Sequence, residues 1–134
     1  MATTDASAIA SPYIEYLKSE GYLPELDEAG VVRFKREGLV YLIVLDASDP
    51  DYFPMVLPNF WQSADEATRR EALDAINETS SRVKVAKVVM DESGRVSAHV
   101  ESFVNDAEHA KQIMKRCMDA AHTAAQLFLE KMKP

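Results

Sequence analysis

The side chains in this 134-residue chain that could do acid–base, nucleophilic or metal chemistry are few, and their spacing suits none of the three. There are three histidines, His99, His109 and His122. His99 falls in a predicted strand, whereas His109 and His122 fall in one predicted helix. At about 100° per residue the helical pair points to roughly opposite sides, which is not ligand spacing. Cys117 is the single cysteine. It sits on an apolar helical stripe with no acid–base partner nearby, the setting of a buried structural thiol and not of a thiolate nucleophile. Asp46, Asp49 and Asp51 share one loop, but they lack the glycine and the distant glutamate of a calcium loop. Turn chemistry around Pro50 explains them. No nucleophile elbow, phosphate loop, dinucleotide fingerprint or zinc-protease helix is present. The sequence thus predicts no catalytic residue, no metal site and no cofactor.

Two groups stand out as binding candidates. In the first, an even-numbered turn at 91–94 would place Lys84 opposite Glu101, beside His99 on the polar face of a hairpin. Lys87 would then fall among Val83, Val85, Val89, Val96, Ala98 and Val100. A lysine on an apolar face must snorkel, pair with an acid or mark a bulge, because burying the charge unpaired is costly. The second group is Phe60 and Trp61, in Leu57-Pro-Asn-Phe-Trp. Aromatic side chains dominate interface energetics and could anchor a partner here. The alternative is a turn that tucks both rings into the core.

Net charge is −7, with 15 Lys and Arg against 22 Asp and Glu. Nucleic-acid affinity comes from clustered cations, so this balance argues against such a partner. The densest basic stretch, Arg33, Lys35 and Arg36, is short. With one cysteine no intrachain disulfide can form, which suits a reducing compartment. Residues 1–12 lack the basic and apolar regions of a signal peptide. No apolar run approaches a membrane span. These features predict a cytoplasmic protein.

The elements that must position these side chains follow from periodicity. Residues 1–11 read as a flexible tail and 12–134 as one α+β domain. Ser11-Pro12 reads as a helix start, with Tyr13, Ile14, Tyr16 and Leu17 as a helical stripe over 12–20. Residues 31–36 alternate as a half-buried strand, Glu37-Gly38 is a two-residue turn, and 39–45 is the next strand. That strand is apolar on both sides, so it should be central or partly covered on its second face. Residues 52–57 read as a third strand, placed at an edge or bulged because Pro54 cannot donate to a ladder, and closed by Pro58. Ser63 and Glu66 form a capping box for a helix over 63–79, with Ala72, Leu73 and Ile76 buried. Residues 82–90 and 95–104 make a second hairpin. Asn105, with Glu108 three residues on, should cap a long helix to about 132. Its broad apolar side, with Ala120, Ala121, Ala124 and Ala125, could pack on a second subunit, so a homodimer is expected. The order is α-β-β-β-α-β-β-α, an antiparallel five-stranded sheet with helices packed on it.

Two stretches, 38–62 (GLVYLIVLDASDPDYFPMVLPNFWQ) and 75–91 (AINETSSRVKVAKVVMD), resemble the YbjN/type III secretion chaperone-like family of bacterial proteins. The resemblance spans about 12–132 and agrees with the element order. It implies a small, acidic, cytoplasmic and often dimeric protein that binds extended segments of partner proteins. It supplies no catalytic or ligand residues. The expected function is therefore non-enzymatic, chaperone-like protein binding. The rival is a small-molecule or enzymatic site on the 82–104 hairpin, built from Lys84, Lys87, His99 and Glu101.

Overall fold

The computed structural model describes residues 6–134, and side chains from Ala8 onward. Its elements are α1 (Ala6–Ser19), β1 (Glu25–Leu26), β2 (Val31–Arg36), β3 (Leu39–Val44), β4 (Tyr52–Gln62), α2 (Glu66–Arg82), β5 (Ala86–Met90), β6 (Arg95–Phe103) and α3 (Ala107–Lys131). The strands form one six-stranded sheet in the order β1-β2-β3-β4-β6-β5. The expected α+β class and element order hold. The sixth strand is β1, only two residues long and too short to leave a periodic signal.

The chain divides into two compact units, one running to Met55 and including Glu101–Lys115, the other Val56–Val100 with Arg116–Pro134. In the first, Tyr13 and Leu17 of α1 are buried, as are Val32, Phe34, Tyr41 and Ile43. Tyr13 stacks on Phe53 at 5.7 Å, and Phe34 on Tyr41 at 5.7 Å. Burial and the nearby Asp106 push the Tyr13 hydroxyl above its ordinary pKa. In the second, Val88, Val96, Ala98 and Val100 are buried, as are Met118, Ala121 and Phe128.

Several boundaries differ from the sequence reading. Helix α1 begins at Ala6, so 6–11 belong to it and not to a tail, while residues 1–5 lie outside the described residues. The reason is visible in the stripe: Ala10 is fully buried and extends the Tyr13–Leu17 row by one turn. Pro12 is therefore inside the helix and not at its first position. Strand β4 does not stop at Pro58; it runs to Gln62 and lies between β3 and β6, not at an edge. Asn59 takes a positive φ of 44°, and its N–H is received by the Ser97 hydroxyl. The irregularity expected at Pro54 is thus seen at Asn59.

Helix α2 is capped by Asp65, not Ser63. Its carboxylate accepts the Thr68 N–H at 2.8 Å, and the Thr68 hydroxyl accepts the Asp65 N–H at 3.2 Å. The shift by two residues moves the buried row to Ala72, Ala75 and Thr79 and leaves Leu73 46% exposed. Helix α3 is likewise capped by Asp106, not Asn105: its carboxylate accepts the His109 N–H at 2.8 Å. The His109 ring nitrogen Nδ1 in turn accepts from the Asn105 N–H. The apolar side of α3 is covered by its own chain, with Met114, Met118, Ala121, Ala124, Ala125 and Phe128 all 3% exposed or less. It is not left over for a second subunit. Cys117 is also buried, and burial pushes its thiol up.

Four exposed carboxylates hold their protons less tightly than usual. The Arg95 and Ser93 N–H groups do this to Asp91, the Thr68 N–H and hydroxyl to Asp65, the Ser48 hydroxyl and N–H to Asp46, and the Lys131 ammonium to Glu78. A carboxyl whose pKa is lower folded than unfolded adds stability above the unfolded value, and that stability is lost as pH falls through the folded value. The unfolded values lie near 4. The melting temperature is therefore expected to hold down to about pH 5 and to fall below about pH 4. Calorimetric scans showing no decline between pH 4 and 2 would contradict this.

Candidate functional site

The second hairpin decides what becomes of Lys87. Its register pairs Ala86 with Val100, Lys87 with His99, Val88 with Ala98 and Met90 with Val96. The turn is odd-numbered, not even. Asp91 N–H donates to the Arg95 carbonyl, and Asp91 Oδ1 accepts the N–H groups of Ser93 and Arg95. Gly94 supplies the positive φ of 82° that this bulged turn requires. A one-residue change of register sends every side chain to the other face. Ala86 and Val88 are therefore buried, and Lys87 is exposed on the face with His99. The apolar-face anomaly at Lys87 disappears.

The remaining predicted residues do not gather with it into one site. Strand β5 starts at Ala86, so Lys84 is not paired with Glu101; it sits exposed in the connection from α2. That connection is strained. Val85 has a φ of 69°, its side chain is 67% exposed, and Ala86 N–H donates to the Lys84 carbonyl at 2.6 Å. Phe60 and Trp61 are half-buried at the end of β4. Both rings meet Phe128 edge-on, at 5.8 and 5.4 Å. They are packed against their own chain and are not free anchors. Glu101 accepts a hydrogen bond from the Tyr52 hydroxyl.

The two ends of the sheet differ. At the β5 end, Val88 N–H donates to the Ser80 hydroxyl of α2 at 3.1 Å, so the helix covers part of that edge. At the other end, β1 pairs only through Glu25 with Arg33 and Leu26 with Val32. Pro24 has no N–H to extend the ladder. Asp27 N–H donates to the Val31 carbonyl, so Val31, Arg33 and Lys35 direct their main-chain groups to the β1 side. Those of Lys35 extend past the end of β1. Beside them lies a groove of about 470 Å³ lined by Gly21, Tyr22, Leu23, Glu25, Arg33, Phe34 and Lys35. Leu23 is 88% exposed on its wall, and the Tyr22 ring rests on Phe34 at 5.5 Å. The sequence reading passed over this segment. Its signal was an apolar pair, Tyr22-Leu23, held between Gly21 and Pro24 outside any element.

Among the described residues no group of three His, Cys, Asp or Glu side chains is arranged to hold a metal ion. None of the described helices is long and apolar enough to cross a membrane. The accessible groups are a cationic strand edge, apolar side chains and open main-chain donors and acceptors. Such a set can bind an extended chain.

No family model and no curated protein matches this chain. Solved structures similar to it include two of low sequence identity. One is an uncharacterized protein from Methanothermobacter thermautotrophicus, with a TM-score of 0.59 and 14% identity over 93% of this chain and 99% of that one. The other is the Yersinia pestis type III secretion chaperone SycH, in complex with a stable fragment of YscM2, with a TM-score of 0.53 and 12% identity over 87% of this chain and 98% of that one. At these identities the likeness is one of fold, and the YbjN attribution has no match behind it. The chain has an α+β fold similar to that of a type III secretion chaperone.

Proposed function

We propose that this protein is a non-enzymatic binding module that takes an extended segment of a partner protein along the outer edge of β2. The observation that carries this reading is the groove beside Lys35, where main-chain donors and acceptors stand next to an exposed leucine and two cations. A segment added there would continue the ladder that β1 begins, with main-chain bonds giving affinity and side-chain pockets giving choice. Arg33 and Lys35 favour acidic residues in it, and Leu23 and Tyr22 favour apolar ones. The similar fold of SycH, which was solved with a protein fragment bound, supports a protein partner.

Panning a displayed library of random peptides tests this. The protein is expected to enrich peptides with alternating apolar and acidic residues, and Leu23→Asp to abolish the enrichment. Leu23 is exposed, so the substitution leaves the fold intact. No enrichment, or enrichment that Leu23→Asp leaves unchanged, would count against the proposal.

A further inference from the structure

The β2 edge beside the groove is already partly occupied, and by a segment with the chemistry that the edge favours. Val31, Arg33 and Lys35 direct their main-chain groups to that side. β1 covers Arg33, which pairs with Glu25, and Val31, whose carbonyl accepts the Asp27 N–H. Lys35 lies past its end. An extended segment confined to Lys35 would gain the main-chain bonds of a single residue. The full edge is the 6 residues Val31–Arg36, about 20 Å long. A segment can pair along it only if β1 gives way.

β1 is held lightly between two anchored ends. None of residues 21–29 is buried. Glu25, Asp27, Glu28 and Ala29 are exposed, and Leu26, opposite the buried Val32, is half-buried. A stretch with so few buried apolar contacts opens at low cost. Before it, the Tyr22 N–H donates to the Leu17 carbonyl at 2.9 Å and the Gly21 N–H to the Lys18 carbonyl at 3.0 Å. These bonds close the end of α1 and keep the Tyr22 ring against Phe34. After it, Gly30 is buried with a φ of 84°. Residues 25–29 can therefore swing out while Tyr22 stays in the groove wall.

Glu25-Leu26-Asp27 alternates acidic, apolar, acidic. Glu25 stands opposite the cation Arg33, and Leu26 stands opposite Val32. The match ends there. The next residue to face Lys35 would be Leu23, which carries no charge and is 88% exposed. We propose that residues 25–29 are an internal stand-in for the partner segment. They cover the β2 edge in the free protein. They are displaced when a longer segment pairs first with Lys35 and then along Arg33 to Val31. This rests on the β2 edge being the binding edge, and adds a device that rejects short or poorly matched segments. A stand-in that is out of place about one-tenth of the time lowers the apparent affinity about tenfold. The partner must recover that through its contacts with Lys35 and the groove.

Hydrogen exchange and peptide binding on the full chain test this. In the free protein the Asp27 N–H is expected to be about 100-fold less protected than the Phe34 N–H, which lies in the ladder to β3. Equal protection would make β1 a fixed strand and overturn the proposal. The binding probe is a fluorescein-labelled peptide of about eight alternating leucines and glutamates, read by anisotropy. Leu26→Gly removes the side chain opposite Val32 without changing charge. It is expected to tighten peptide binding about fivefold to tenfold, with exchange at Phe34 unchanged. A residue that merely walled the site would weaken binding when truncated. Binding that Leu26→Gly weakens or leaves unchanged would overturn the stand-in and leave the β2 edge as the binding site. No binding to either protein would overturn both.

Discussion

Replacing Phe128 by alanine is expected to remove about 3–5 kcal/mol of stability, the range for a large aromatic taken from a packed core. Phe128 is fully buried on α3. Two aromatic residues adjacent in the chain, Phe60 and Trp61, meet it edge-on at 77° and 73°. Edge-to-face pairs add about 0.5–1.5 kcal/mol each beyond the burial of their area. Truncation would also leave a cavity between α3 and the end of β4, and a strand end cannot collapse to fill it without breaking its ladder. Phe128→Leu keeps most of the volume and should cost less than half as much. Urea denaturation measures both. A loss below about 1.5 kcal/mol for the alanine variant would show that the site relaxes or is not packed this way.

The second large effect is expected at Gly94. Its φ of 82° is one that an L-residue with a side chain adopts at a cost of about 1–2 kcal/mol. Gly38, with a φ of 81°, shares that backbone cost and has open space around it. At Gly94 an added Cβ would also overlap the Ser63 hydroxyl. The Ser63 hydroxyl can turn away about χ1, but the Ser63 Cβ would stay at 3.3 Å, because the Ser63 N–H donates to the Gly94 carbonyl at 3.0 Å. Gly38→Ala is therefore expected to cost about 1 kcal/mol and Gly94→Ala roughly 1 kcal/mol more, with the difference due to crowding. In a Ser63→Ala background the excess at Gly94 should shrink, and the double-mutant cycle measures that coupling. Equal costs at the two glycines would refute the argument.

How much of this was legible in the sequence depends on what each residue had to say locally. The β2–β3 hairpin was fully legible. Glu37-Gly38 is a two-residue turn with both φ values positive, and Arg36 pairs with Leu39 as expected. The central place of β3 also followed, because Val40, Leu42 and Val44 leave no polar face. Strand β4 was not legible. Pro54 and Pro58 read as signs of an edge and an end, and only the surrounding sheet overrides them. The caps were misread by one or two residues because Ser63, Asp65, Asn105 and Asp106 are all competent caps; packing of the row that follows chooses among them.

For the candidate site, the sequence named hairpin residues whose convergence depended on an assumed turn length. The groove was missed because it is made of main-chain groups left unpaired and of residues 21–25, which have no periodicity. Main-chain exposure is a property of topology and cannot be read from side-chain pattern. The cationic stretch Arg33, Lys35 and Arg36 was visible, but not that Arg33 and Lys35 line a groove. Its meaning depends on which side of β2 is covered.

One device occurs twice. Asp27-Glu-Ala-Gly30 and Asp91-Glu-Ser-Gly94 make the same turn. In each, the aspartate carboxylate accepts two main-chain N–H groups, two and four residues on. In each, the aspartate N–H donates to the carbonyl of the residue after the glycine, and the glycine N–H donates back to the aspartate carbonyl. These four letters set parity. They add an odd number of residues between paired strands and so decide, for everything beyond, which alternate residues are inside. In the second hairpin that one bit of information separates a lysine facing water from a lysine in the core. Its carrier is the turn and not the strands, so the exposed residues of a strand here can change without moving the register as long as the turn keeps its count.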